Sequence, residues 1–460
     1  MCADKNLQKG LDNSSVNKRD ILIVLLVAIG FFTYFILTTE SDYRYFPRGD
    51  ARVYTLMTLH FDDPGAVGEK LPLMYSQRLF PPMVGFLLAR TELRARQNEV
   101  KAIATKDDTQ EIEAIPLNRV VLTSWLVSNF IAYLLQLFFL VLIVAYLNGS
   151  VAVRFFMLVI YSMWFLSARL YVNWAQMPDP WAFTFLLSAA YFMMKRRSAG
   201  FLISILLGIM SKELLLFLVP AYVWRLLSGE RTRSTYVTAF VVSLLPAALF
   251  IILRAYPYFP SEISTPNVPN ATDYSTRLVG RLSDYMVLLT YHYKSRLIIG
   301  PRYLLDTLII PFGVFSGLSF FLAWHVRDTW RVFKRHLYWT PYLVLTALVG
   351  LNVDRYIFYI FPVVIIVSTE VLERNYRGKG FYYVMLFIAA LTAFTQDIFA
   401  FVSEASGVSL KHQLEIAGIL RPELARDFRI LMGVGAIVAF TGFFVINRVL
   451  LARQRVAPRT

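Results

Sequence analysis

Eight ionisable residues stand where a mostly apolar chain has few charges to spare: Asp42, Asp50, Arg78, Asp179, Lys212, Glu213, Asp354 and Arg355. Charges at span ends and hairpin tips mark a functional site by default, because each must pair, bind something or stay in water. Asp50 follows Gly49 and precedes Tyr54 by four residues. A helix starting there puts the carboxylate at its positive end with Tyr54 on the same face. Such a carboxylate can act as general base toward a hydroxyl or amine, bind a cation, or cap the helix. Arg78 carries a planar fork that matches two phosphate oxygens, or else it lies at an interface with its stem in lipid. Asp179 opens an apolar run in Met177-Pro178-Asp179-Pro180, as a cap or as a chemical group. Lys212-Glu213 reads as an internal ion pair or as an ammonium offered to a phosphate, and Asp354-Arg355 invites the same alternatives. Arg169 snorkels or pairs with an acid. His60 and His292 have no partner in the sequence and receive no chemical role.

These residues sit in a chain built for lipid. Of 460 residues, 57% are hydrophobic and 15% aromatic, while only 17% are charged. That composition excludes disorder, a collagen-like repeat and a free-standing soluble enzyme. The formal charge is +15, but membrane proteins carry their Lys and Arg excess in cytoplasmic loops, so nucleic acid is not inferred. Cys2 is the single cysteine. It can make no internal disulfide, and no Cys/His cluster offers a zinc site.

Lys5, Lys9, Lys18 and Arg19 precede the apolar stretch Ile21–Leu37, which no cleavage site follows. This is an uncleaved first span. Further apolar runs lie near 120–146, 155–172, 180–194, 235–253, 303–325, 381–401 and 430–447. Two regions are interrupted: 200–225 by Ser211-Lys212-Glu213, and 338–370 by Asn352-Val353-Asp354-Arg355. Basic residues flank both ends of each region, so both ends belong on the cytoplasmic side and each region is a hairpin of two short helices. The expected fold is all-α, a polytopic transmembrane bundle of about 10–12 spans with both termini inside. Counted this way, Lys and Arg are roughly twice as dense in the inside loops as outside.

The longest loop, 39–119, follows the first span on the outer side, where short helices along the membrane surface are expected, one of them at Leu79–Ala89. A second outer loop, 254–302, is rich in Tyr, Pro, Ser and Arg. Its Asn270-Ala271-Thr272 triplet matches a glycosylation acceptor but carries no weight here, since similar triplets fall on the inner side. No fixed-period repeat is visible, which weakens a repeat-built transporter. The chain divides into a cytoplasmic tail (1–20), a module containing the first outer loop (21–370), and C-terminal spans with a cytoplasmic tail (371–460).

The ordered motifs resemble a known family. They are Arg48-Gly49-Asp50-Ala51-Arg52-Val53-Tyr54 after the first span, a Tyr-x-x-Arg-Leu-x-Pro element at Tyr75–Pro81, and Asp179-Pro180 opening a middle span. A Gly-x-x-Ser-Lys-Glu turn at Gly208–Glu213 and a late Asp-Arg-Tyr before a short span ending in Pro (Asp354–Pro362) complete the series. Together, across about the first 370 residues, these are similar to the GT-C superfamily of polytopic glycosyltransferases. That resemblance implies transfer of a sugar from a polyprenyl-phosphate carrier at the outer face of a bacterial cytoplasmic (inner) membrane. It also implies a catalytic carboxylate in the first outer loop, which carries over to Asp50 and secondarily Asp42. Tyr54, Arg78, Asp179, Lys212, Glu213, Asp354 and Arg355 are the candidates for holding substrate. The implied partners are membrane lipid, the lipid-linked sugar and a glycan, lipid or protein acceptor. The resemblance implies no certain cofactor and leaves a divalent metal open, since metal use differs between branches. Asp50 is followed by Ala-Arg rather than the commoner Gly-x, and the large C-terminal soluble domain of oligosaccharyltransferases is missing. The competing classes are a secondary transporter of about twelve spans and a polymerase or ligase of surface polysaccharide acting in glycan biosynthesis.

Overall fold

The computed structural model describes residues 17–38, 50–61, 71–72, 78–95, 115–164, 167–168, 170–173, 177–229, 231–255, 261–262, 314–350, 358–376, 379–404 and 433–449. Asp42, Arg169, His292, the tip with Asp354 and Arg355, most of the loop 254–302 and residues 96–114 lie outside them, as does Cys2.

The described residues are helical apart from turns and one two-residue parallel bridge, Leu71–Pro72 with Ser261–Glu262. Among the described residues, three helices are long and apolar enough to cross a membrane: Lys18–Thr38, Arg119–Tyr146 and Arg233–Leu253. Shorter apolar helices occupy Val151–Met163, Ser198–Ile209, Gly380–Gln396 and Gly433–Val449. The helices are named α1 (Lys18–Thr38), α2 (Asp50–His60), α3 (Phe80–Ala95), α4 (Ile115–Tyr146), α5 (Val151–Met163), α6 (Asp179–Met194), α7 (Ser198–Ile209), α8 (Leu218–Leu227) and α9 (Arg233–Ala255). After these come α10 (Gly317–Trp324), α11 (Val326–Arg335), α12 (Thr340–Gly350), α13 (Phe361–Asn375), α14 (Lys379–Glu404) and α15 (Gly433–Val449). The chain forms two compact units and passes between them within α1, within α4, at 168/169 and at 295/296.

The first unit takes in the start of α1, the end of α4, α5 and the chain from 296 onward. Asn17 and Asp20 cap α1 reciprocally, each side chain accepting the other's backbone N–H at 3.0–3.1 Å, which satisfies two otherwise orphaned donors. Arg154 reaches Asp20 at 2.8 Å and also donates to Gly149 O. Gly149 admits no side chain, because a Cβ would meet Val144 Cγ1 at 2.5 Å. Trp164, Tyr161, Phe315, Phe358 and Phe361 form a buried aromatic cluster. The run expected near 155–172 is not one helix. Trp164 turns to an extended backbone, and the Ser167 hydroxyl donates to Tyr161 O and Trp164 O, so carbonyls that would continue the helix are taken by a side chain.

In the second unit, α2 and α3 pack on the start of α4. Tyr54, Met57, Leu59, Leu93, Val121 and Trp125 form their core. Trp125 Nε1 donates to Thr58 Oγ1 at 3.0 Å, and Gly85 lets the indole approach, since a Cβ there would lie 2.9 Å from that nitrogen. The expected short segment at Leu79–Ala89 is a longer helix, Phe80–Ala95, and it contributes Ala89 and Leu93 to this core. Helices α6 and α7 are joined by a three-residue turn in which Arg196 has φ 55°.

The interrupted region 200–225 reverses direction, as its basic flanks require. The residue after the α7 turn, Lys212, returns to Asp179 at the start of α6, while Arg225 in α8 donates to Met193 O and Met194 O at the far end of α6. So α7 and α8 run in opposite senses along α6. A 3₁₀ turn, Glu213–Phe217, separates them.

Candidate functional site

Five of the nine candidate residues meet in the second unit. Arg78 lies just before α3 and is buried. Its Nε and Nη2 donate to the two carboxylate oxygens of Glu213 at 3.3 and 3.0 Å, and its Nη1 donates to the Tyr54 hydroxyl at 2.6 Å. Lys212 donates to Asp179 Oδ1 at 2.5 Å, and both side chains are at most 3% exposed. Among the described residues, two cations and two carboxylates are thus linked through the adjacent pair Lys212-Glu213.

Local sequence explains how each member arrives. Asp179 is the first residue of α6, with Pro178 before it as a cap that makes no side-chain hydrogen bond. A carboxylate in a first turn interacts favourably with the helix dipole, but this one is turned to Lys212 rather than to its own backbone, so it is not a simple cap. Lys212 has the extended backbone φ −160°, ψ 129° that closes α7 and opens the 3₁₀ turn. Gly208 allows the reversal: its carbonyl accepts from the N–H of Ser211 and Lys212, and a Cβ would meet Leu215 Cδ2 at 2.2 Å. The segment carrying Arg78 docks beside the same turn, with Phe80 N–H donating to Met210 O at 3.1 Å. Phe80 then packs edge-on against Trp181 and Phe185 of α6, both at 5.1 Å between ring centres. Trp181 is fixed in turn by a bond to Ser128 Oγ at 2.8 Å.

Asp50 is in helix α2, and Tyr54 follows one turn later; Gly49 lies outside the described residues. The carboxylate-bearing position is therefore one helical turn, about 5–6 Å of rise, from the tyrosine that holds Arg78. No family model, curated protein or solved structure matches this chain. The site must be read on its own geometry.

The local alternative for Lys212-Glu213 is corrected: they do not form an internal pair but reach outward to different partners, Asp179 and Arg78. Sequence reasoning named both cations and both acids without pairing them, because Arg78 and Glu213 are separated by 135 positions. It missed Trp125, Thr58 and Trp181, whose only signal was an aromatic or a hydroxyl in an apolar run. It also missed Asp20 and Arg154, which flank spans in the first unit. Among the described residues no group of three or more His, Cys, Asp or Glu could hold a metal ion.

The arrangement can orient a guanidinium with little freedom, since a carboxylate holds two of its nitrogens and a phenol the third. It also ties the loop before α3 to the α7–α8 reversal. A fully buried ion pair that loses one partner leaves an uncompensated charge, which typically costs ~3–5 kcal/mol.

Proposed function

We propose that the chain is a multi-span membrane glycosyltransferase of the GT-C type. It would have about 10–12 spans and both termini cytoplasmic, and would take its sugar from a polyprenyl-phosphate carrier at the outer face of the membrane. The observation that carries the reading is the Arg78 fork held by Glu213 and Tyr54 one helical turn from Asp50. In this reading the donor phosphate competes with the carboxylates of Glu213 and Asp179 for the cations Arg78 and Lys212. Asp50 removes the acceptor proton as the acceptor oxygen or nitrogen attacks the anomeric carbon and the carrier phosphate leaves. A donor already in the membrane needs no nucleotide-binding loop, in keeping with a sequence that has none.

The cluster also has a plain structural role as a clamp across Asp179, Lys212, Glu213 and Arg78. Donor binding separates the two. With purified protein in lipid nanodiscs, affinity for a polyprenyl-phosphate sugar should fall by ~10-fold or more in Arg78→Lys and further in Arg78→Ala, because a point ammonium cannot replace a two-pronged contact worth about 1.5–3 kcal/mol. Folded variants with unchanged affinity would leave only the clamp.

A further inference from the structure

The opposite end of the α6–α7 hairpin carries a second polar feature that the outer cluster does not use. Helix α6 is 16 residues long, so its C-terminal end is about 24 Å from Asp179. There, an open groove of about 530 Å³ is lined by Tyr191, Lys195, Arg196, Arg197, Ser198 and Gly200, among others. No acid lines it. Arg196 and Arg197 are exposed and form no ion pair with any described residue. Arg225 crosses from α8 to donate to Met193 O and Met194 O at 2.8 and 2.7 Å, covering carbonyls that would otherwise face an incoming anion with negative charge. Arg197 precedes α7 as a cap without a side-chain hydrogen bond, so the first N–H groups of that helix add to the positive field.

What continues from the groove decides the ligand class. Ala199 and Ile203 are exposed one turn apart on α7, and Leu206 and Leu207 are partly exposed one turn further on, an apolar stripe leading away from the arginines. On α9, which packs on α7, Tyr236, Val237, Phe240 and Leu244 are at least half exposed. A phosphate clamp directly above an uncovered apolar stripe fits an amphiphile better than a soluble anion.

We propose that this groove binds the headgroup phosphate of an anionic phospholipid, with Arg196 and Arg197 as the principal donors and an acyl chain along Ala199 and Ile203. The site is separate from the sugar-transfer reading and stands or falls without it.

The test is native mass spectrometry of the purified full-length chain loaded with phosphatidylglycerol or with phosphatidylcholine of matched acyl chains. Wild type should retain phosphatidylglycerol preferentially. Arg196→Gly with Arg197→Gln should lose that retention by about tenfold or more, as expected for loss of charge-assisted hydrogen bonds, while weak phosphatidylcholine binding stays the same. Glycine is chosen at 196 because the residue there has φ 55°, which glycine adopts without strain. A charge-preserving Arg196→Lys with Arg197→Lys variant should keep most of the preference. Equal retention of the two lipids by wild type, an unchanged preference in the Gly/Gln variant, or equal loss in the Lys/Lys variant would each overturn the proposal. Displacement of the lipid by excess inorganic phosphate would overturn its lipid component, leaving a site for a free anion.

Discussion

Lys212 Nζ lies 2.5 Å from Asp179 Oδ1, and the pair is almost wholly withdrawn from solvent. It joins the reversal after α7 to the first residue of α6, so one contact fixes both where α7 ends and which side of α6 the 3₁₀ turn meets. Removing both partners should therefore cost less than the two single losses added together. Lys212→Met and Asp179→Leu are each expected to destabilise by ~3–5 kcal/mol, and the double variant by clearly less than their sum. Thermal unfolding of the four proteins in one detergent checks this. Additive losses would mean that the pair is not coupled. The double variant also separates fold from activity: it should fold yet bind the carrier phosphate poorly if Lys212 holds donor.

Glu213 occupies the Nε–Nη2 edge of the Arg78 guanidinium that the proposed donor needs. Glu213→Gln keeps the shape and removes the competing charge. Affinity for a polyprenyl phosphate should rise, by ~3–10-fold for the gain of about 1 kcal/mol in charge-assisted contact. Titration of the carrier phosphate into nanodisc protein measures it. A fall in affinity as large as that of Arg78→Ala would make Glu213 essential for orienting Arg78 instead.

Much of this site is legible in the amino-acid sequence. The break Ser211-Lys212-Glu213 between apolar stretches with basic flanks implies a reversal, because positive charge at both ends can lie on one side only if the chain turns back. Arg225 at the far end of α6 and Lys212 at its near end mark that reversal. Pro178-Asp179-Pro180 announces a helix start through local chemistry, and α6 begins there. Partner choice is not legible, because no local rule brings Arg78 to Glu213 across 135 positions. Nor is the interruption after Met163, since hydropathy does not register the Ser167 hydroxyl that diverts two carbonyls.

Gly208 is held by contact rather than by backbone freedom. A Cβ would collide with Leu215, a fully buried residue, at 2.2 Å. Gly208→Ala should destabilise by ~1–3 kcal/mol through overpacking, and Leu215→Val in the same chain should recover part of the loss by removing the δ-methyl groups. Unfolding midpoints for the single and double variants provide the check. No effect of Gly208→Ala alone would show that Leu215 moves aside freely.

Asp50 tests the chemistry apart from donor binding. Asp50→Asn keeps size but cannot accept a proton, so turnover should fall by ~10²–10⁴-fold with donor affinity unchanged. Near-normal transfer would move the base elsewhere, first to Asp42.

Sidedness follows from the two ends of α6. Arg196 and Arg197 stand at one end and the Asp179–Lys212 pair at the other, and cationic loops are retained on the cytoplasmic side. A cysteine at the exposed position 197, in a chain whose Cys2 has been replaced by Ser, should react with a membrane-impermeant maleimide only after the membrane is opened. The same experiment with Leu147→Cys, after α4, and with Arg327→Cys, in α11, should give the same cytoplasmic pattern, because the expected topology places both loops inside. Labelling of position 197 in intact cells would invert α6. The Asp179–Lys212 pair would then face the cytoplasm, where a donor phosphate presented at the outer surface could not reach it.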